Sequence, residues 1–249
     1  MKNAVVFDWD GTIVSCEEKI DQTIGRLRLV FPLALVEYDN IISCNGMSPG
    51  WIKNGFLASL SEDYFTYHFG ILADVMARMQ SISIDEAWGV ILCEFRSLYI
   101  KSVAKLLLEY ECLERLSCFA RIYIVSNSET DNVKTEMKRF FLDTLDIAII
   151  GGAKKYQVKK ACPSICGIPT DRPAYQKIIQ DIREKFDNMI IVGDNFCCDL
   201  ATPLSIGVRG AYIPNAFTPE IVKHLVLKRG IICGTVQDIT EIILTEFRR

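Results

Sequence analysis

The stretch Ala4-Val5-Val6-Phe7-Asp8-Trp9-Asp10-Gly11-Thr12 sets an apolar run directly before two carboxylates, a glycine and a hydroxyl. A short apolar run that ends in a turn former reads as a buried strand. The loop at its carboxyl end is where open α/β sheets hold their ligands. Two like charges that close are costly unless something uses them. The usual uses are a bound cation and a division of labour in which one carboxylate attacks while the other moves protons.

Further short β-branched runs follow at Ile122 to Ser126, Ile147 to Ile150, Met189 to Gly193 and Val208 to Pro214, with helical patterns between the later ones. This alternation predicts an α/β fold, a doubly wound parallel sheet covered by helices on both faces. Asp8 and Ile122 lie too far apart for one crossover helix, so a domain is inserted between the first two strands. Within it, apolar residues recur at three- and four-residue steps through Ile20, Thr23, Ile24, Leu27, Val30 and Phe31, and again through Val90, Ile91, Phe95, Leu98 and Tyr99. That spacing predicts a helical insertion over 15–108 and a core made of 1–14 and 109–249. A turn-rich stretch, Ser43 to Gly50, breaks the insertion, and its far end is read as a helix running through Lys105-Leu106-Leu107-Leu108 toward Leu116.

Composition narrows the function. The chain has 249 residues, half of them hydrophobic, and a formal charge of -3. No basic surface for nucleic acid or anionic lipid is expected, and no apolar run approaches a membrane span. The chain opens without a secretory signal, so a soluble cytoplasmic protein is expected. The ten cysteines are read as small buried hydrophobes in a reducing compartment. Cys162 and Cys166 supply only two of the four ligands that structural zinc needs. With two histidines, His68 and His224, a multi-histidine metal site or a Ser-His-Asp triad is poorly supported, and His68 is read as a packing residue.

The ends of the parallel strands should converge. The second strand ends in Ser126-Asn127-Ser128, which offers a hydroxyl, an amide and the start of a helix whose free N–H groups favour an anion. Taken alone, the same triplet reads equally well as a helix cap. The third leads into Gly151-Gly152-Ala153-Lys154-Lys155-Tyr156-Gln157-Val158-Lys159-Lys160, whose lysines could balance a phosphate. The fourth ends in Gly193-Asp194, with Asp199 close behind. Several carboxylates in one cleft call for a hard divalent cation.

In this order the residues resemble the haloacid dehalogenase superfamily. Asp8-Trp9-Asp10-Gly11-Thr12 is similar to its first motif, Ser126-Asn127 to its second, the lysine loop to its third, and Gly193-Asp194 with Asp199 to its fourth. The helical insertion after the first motif is similar to the α-helical cap class that includes phosphoglycolate-type phosphatases and sugar-phosphate mutases, on a Rossmann-like core. The resemblance implies a Mg²⁺-dependent phosphatase acting on a small phosphorylated metabolite. Asp8 would be the nucleophile that forms an aspartyl phosphate, and Asp10 would protonate the leaving oxygen and then activate water. Mg²⁺ would be held by the Asp8 carboxylate, the Asp10 backbone carbonyl and Asp194, with Asp199 in support. Ser126 and Asn127 would contact the phosphoryl group, with Gly11 and Thr12 beside it.

The third motif departs from the family pattern, in which proline directly follows the lysine. Here Lys159-Lys160 precedes Ala161-Cys162-Pro163. The resemblance implies Lys160, whose distance from Gly151-Gly152 is similar to that in phosphatases of this type, with Lys159, Lys155 and Arg172 as alternatives. The cap would choose the substrate, through Asn45-Gly46-Met47-Ser48 or Lys53. A sugar phosphomutase using the same intermediate, or a catalytically idle binding protein, is the alternative function.

Overall fold

A computed structural model describes residues 2–15, 17–44, 62–155, 172–214, 226–227 and 231–248. Lys159, Lys160, Asn45 to Ser48, Lys53, Cys162, Cys166 and His224 lie outside the described residues, as does the side chain of His68. Two compact units are present. The described residues of Met1–Ser15, Lys105–Gln157 and Ile168–Arg249 form one, and those within Cys16–Ala104 form the other.

In chain order the elements are β1 (Asn3–Phe7), α1 (Glu17–Val30), α2 (Pro32–Cys44), α3 (Glu62–Gln80), α4 (Ile84–Lys101), α5 (Tyr110–Ser117), β2 (Arg121–Val125), α6 (Thr130–Arg139) and β3 (Ile147–Ile150). They continue with α7 (Pro173–Arg183), β4 (Asn188–Gly193), α8 (Ala201–Ser205), β5 (Arg209–Tyr212), β6 (Ile232–Cys233) and α9 (Ile239–Arg248). The six strands pair in the order β3-β2-β1-β4-β5-β6, every pair parallel. Chain order reverses at β1, which places the ligand crevice of a doubly wound sheet at the carboxyl ends of β1 and β4.

β1 sits centrally, so Ala4 to Phe7 are buried on both faces, which is why it reads as an unbroken apolar run. Register then fixes the site. Phe7 lies opposite Ile124 of β2 and Val192 of β4. Asp8 therefore leaves the sheet level with Val125 and Gly193, one step before Ser126 and Asp194.

The second unit is built from α1 to α4, and no strand is found among its described residues. Leu27, Leu35, Tyr38, Phe69, Met76, Trp88, Ile91 and Phe95 form its core, with the Phe69 and Phe95 rings edge to face at 5.3 Å. Pro32 opens α2, where its missing N–H costs nothing. Ser83 and Glu86 form a reciprocal capping box at the start of α4.

Two expectations need correction. The helix expected through Lys105 to Leu108 is extended backbone: Leu106 bridges Val14, Ser15 N–H donates to Lys105 O (2.7 Å), and Leu107 N–H to Ile13 O (2.9 Å). Pairing with the chain that leaves β1 satisfies these groups, so α5 begins only at Tyr110. Among the described free cysteines Cys198 is buried, whereas Cys44, Cys93 and Cys118 are exposed. β6, two residues long, was not anticipated. Among the described residues no helix is long and apolar enough to cross a membrane.

Candidate active site

Asp8 N–H donates to Val192 O at 2.9 Å, extending the β1–β4 ladder one residue past the strand. The chain then turns tightly. Trp9 O accepts from Ile13 and Val14 at 3.0 and 3.1 Å, and Gly11 N–H donates to Val14 O at 2.7 Å. Gly11 has φ +91°, and a Cβ there would run into the Asp194 carboxylate. Only glycine meets both demands. Thr12 is buried, and its hydroxyl reaches Asp194 Oδ1 at 3.4 Å. Gly11 and Thr12 thus shape the loop and support Asp194, with their N–H groups turned to Val14 and Trp9.

Ser126 is buried and follows β2. Its Oγ accepts from Ser128 N–H at 3.0 Å, which leaves the hydroxyl proton available to an incoming acceptor. Ser128, which the sequence reading left without a role, donates its hydroxyl to Asp10 Oδ2 at 3.0 Å. Asn127 Oδ1 accepts the backbone N–H of Lys155 at 2.7 Å. Gly151 N–H reaches Thr130 Oγ1 at 3.0 Å, and Gly152 N–H reaches Ser128 O at 3.0 Å. Gly152 and Lys154 both take positive φ, +62° and +51°. These bonds and turns fold the 151–155 loop onto the end of β2 and aim one lysine into the site.

That lysine is Lys155, whose side chain is 2% exposed. Its Nζ donates to Asp8 Oδ1 and, at 2.9 Å, to Asp199 Oδ1, and it stands 5.7 Å from the Tyr175 ring centre. Tyr175, also buried, donates its hydroxyl to Asp199 O at 2.8 Å. Asp199 lies on a π-helical turn, Phe196–Leu200, of a kind often found at functional sites. Asn195 N–H donates to its Oδ2 at 3.0 Å. A Cβ on Gly193 would strike Asp199, so β4 must end in glycine to admit it. Lys155 is thus the lysine observed at the acidic cluster, while Lys160 lies outside the described residues. Tyr175, Asn195 and Ser128 carry little signature in sequence, although Ser128 and Asn195 stood within stretches already singled out.

Asp8, Asp194 and Asp199 bring one carboxylate oxygen each to within 4.8 Å of one another. Burial, then the Asp199 charge, raises the Asp8 carboxyl to about 7, while Lys155 pulls the other way. Asp194 is held well above the usual carboxylate range, first by burial and then by Asp199 and Asp8. Burial opposes the charge on Lys155, but Asp199 and Asp8 outweigh it and hold its pKa well above the usual value. Burial keeps the Tyr175 hydroxyl protonated. One ammonium cannot balance three carboxylates, and hard oxygen donors this close fit a divalent cation such as Mg²⁺. The Asp10 carboxylate is turned instead to Ser128.

Comparison with known proteins agrees with this geometry. No curated protein matches the chain significantly. In fold it is similar to a haloacid dehalogenase-like hydrolase from Streptococcus pneumoniae, with 18% identity, TM-score 0.57, and 97% of this chain and 98% of that one covered. It is also similar to a predicted phosphoglycolate phosphatase from Haemophilus somnus, with 16% identity, TM-score 0.53, and 97% and 98% covered. A third similar structure is the HAD hydrolase YfnB from Bacillus subtilis, bound to magnesium, with 11% identity, TM-score 0.53, and 90% and 98% covered. The model of the haloacid dehalogenase-like hydrolases matches residues 2–207, most of the chain including the ends of β1 to β4, and the chain belongs to that family.

Proposed function

We propose that the protein is a Mg²⁺-dependent phosphatase that hydrolyses a small phosphorylated metabolite through an aspartyl phosphate on Asp8. The observation that carries this reading is the buried Lys155 ammonium between Asp8 and Asp199, with Asp194 in the same cluster.

Asp8 attacks phosphorus and takes the phosphoryl group as an acyl phosphate. Asp10, oriented by Ser128, protonates the departing ester oxygen and then takes a proton from the water that hydrolyses the intermediate. Lys155 and the Ser126 hydroxyl balance the charge on the transferring oxygens. Asn127 acts one step back, by fixing the backbone of Lys155. Asp8, Asp194 and Asp199 would hold Mg²⁺, which when bound supplies positive charge against the phosphoryl oxygens.

The test is a phosphate-release screen over phosphorylated metabolites and p-nitrophenyl phosphate in the presence of Mg²⁺, with Asp8→Asn as the blank. Release by the wild type alone supports the proposal. Isomerisation of a hexose phosphate with little free phosphate would point to a mutase instead.

A further inference from the structure

Trp9 stands between the two carboxylates of the acidic loop, and its side chain is fully buried. Its carbonyl receives the N–H groups of Thr12 (3.4 Å), Ile13 (3.0 Å) and Val14 (3.1 Å), so the turn carrying Asp8 and Asp10 closes on this one residue. Its indole N–H donates to Glu136 Oε2 at 2.6 Å. Glu136 is a buried carboxylate on α6, the helix that begins just after Ser128. A buried glutamate is costly to keep in an apolar setting, and a buried indole N–H without an acceptor is costly too. Each gives the other a partner.

The pair has a second consequence. Ser128, at the mouth of α6, already holds Asp10 Oδ2, and Glu136, further along α6, holds Trp9. Two consecutive loop residues are therefore held at two separated points, Asp10 by the loop that leads into α6 and Trp9 by α6 itself. A one-point attachment would let the loop pivot; a two-point attachment sets the direction of Asp10 relative to Asp8.

We infer that Glu136 is a positioning residue, which acts through the Trp9 indole to hold Asp8 and Asp10 in register for proton transfer. Its kinetic part rests on the phosphatase reading; its structural part does not. The test compares wild type, Glu136→Leu and Glu136→Gln as full chains with Mg²⁺, using p-nitrophenyl phosphate turnover and amide hydrogen exchange across the loop. Misplacement on the scale of an ångström lowers turnover steeply, so Glu136→Leu should lose roughly 10- to 100-fold in kcat with little change in KM. Glu136→Gln keeps an oxygen that accepts from the indole and should restore kcat to within about threefold of wild type. Exchange at Thr12, Ile13 and Val14 should quicken roughly tenfold in Glu136→Leu and stay at the wild-type rate in Glu136→Gln.

Equal exchange in all three proteins, or wild-type kcat in Glu136→Leu, would overturn the inference, as would equal losses in the Leu and Gln variants. Should Glu136→Leu fail to fold, Trp9→Phe removes the same hydrogen bond from the other side and is read by the same criteria. If the wild type releases no phosphate from any ester, the proposed function falls, and the exchange rates alone decide the Glu136 role.

Discussion

The Lys155 ammonium lies 2.9 Å from Asp199 Oδ1, and both side chains are only 2% exposed. A buried pair of this kind needs every remaining donor and acceptor engaged. Here a second Lys155 N–H donates to Asp8 Oδ1, Asn195 N–H caps the other Asp199 oxygen, and Tyr175 holds the Asp199 backbone. Removing the ammonium leaves two carboxylates facing each other.

Lys155→Met should therefore lower turnover by roughly 10²- to 10³-fold and destabilise the metal-free fold by about 3 kcal/mol or more. Lys160→Ala, by contrast, should stay close to wild type. Steady-state kinetics and denaturant melts of the two variants measure both effects. Full loss of activity in Lys160→Ala with Lys155→Met active would reverse the assignment.

Gly11→Ala should fold less stably and bind Mg²⁺ more weakly. Its backbone lies at φ +91° and the new methyl would displace the Asp194 carboxylate. The left-handed backbone alone costs about 1–2 kcal/mol. Calorimetric titration with Mg²⁺ should show the weakened binding, whereas wild-type affinity would mean that Asp194 moves aside without consequence.

The acidic cluster should make the metal-free protein sensitive to pH. The folded Asp8 carboxyl stays protonated up to about 7 against its usual 3.8. The folded state then holds a proton that the unfolded chain has released, and stability falls as pH rises between those two values. Asp194 shifts in the same direction. Thermal melts in a chelating buffer should show a lower midpoint at pH 8 than at pH 5, with a smaller drop in Asp8→Asn. Added Mg²⁺ should raise the midpoint more at pH 8, where protons no longer compete for the ligands.

Tyr175→Phe keeps the ring beneath Lys155 but removes the hydroxyl bonded to Asp199 O. A loss of about 1 kcal/mol in stability is expected, with a modest fall in kcat. Tyr175→Leu should cost more, because the cation then loses its aromatic face. Equal behaviour of the two variants would mean that the ring contributes nothing to holding the ammonium.

The strands near the site were legible because β1 and β4 are buried on both faces and so appear as continuous apolar runs. β6 was not, since two residues make no pattern. The insertion was legible through α1 and α4 but not through α2, where buried Leu35 sits between exposed Leu33 and Val36 and no single face stands out. In α3 the ring-rich Tyr64-Phe65-Thr66-Tyr67 imitates a strand. At the site, Asp8 and Asp194 were readable because each directly follows a strand, and Asp10 and Asp199 because they stand close behind them. The lysine loop left a choice, because several identical residues share it, and Lys160, the residue chosen, lies outside the described residues. What distinguishes Lys155 is backbone: the Asn127 amide on its N–H and two positive-φ residues before it. Trp9 and Glu136 were silent for a different reason. Their partnership spans the β1 loop and α6, and no local pattern encodes it.

The central claim is that Asp8 is phosphorylated during turnover of a phosphate ester. The most direct measurement is rapid acid quench of the Mg²⁺-loaded protein with a ³²P-labelled substrate found in the phosphate-release screen, followed by peptide mapping. An acid-stable, hydroxylamine-labile phosphoryl group on the peptide bearing Asp8, absent from Asp8→Asn, is the expected result. Phosphate release at the wild-type rate by Asp8→Asn, or turnover with no label on that peptide, would contradict the account.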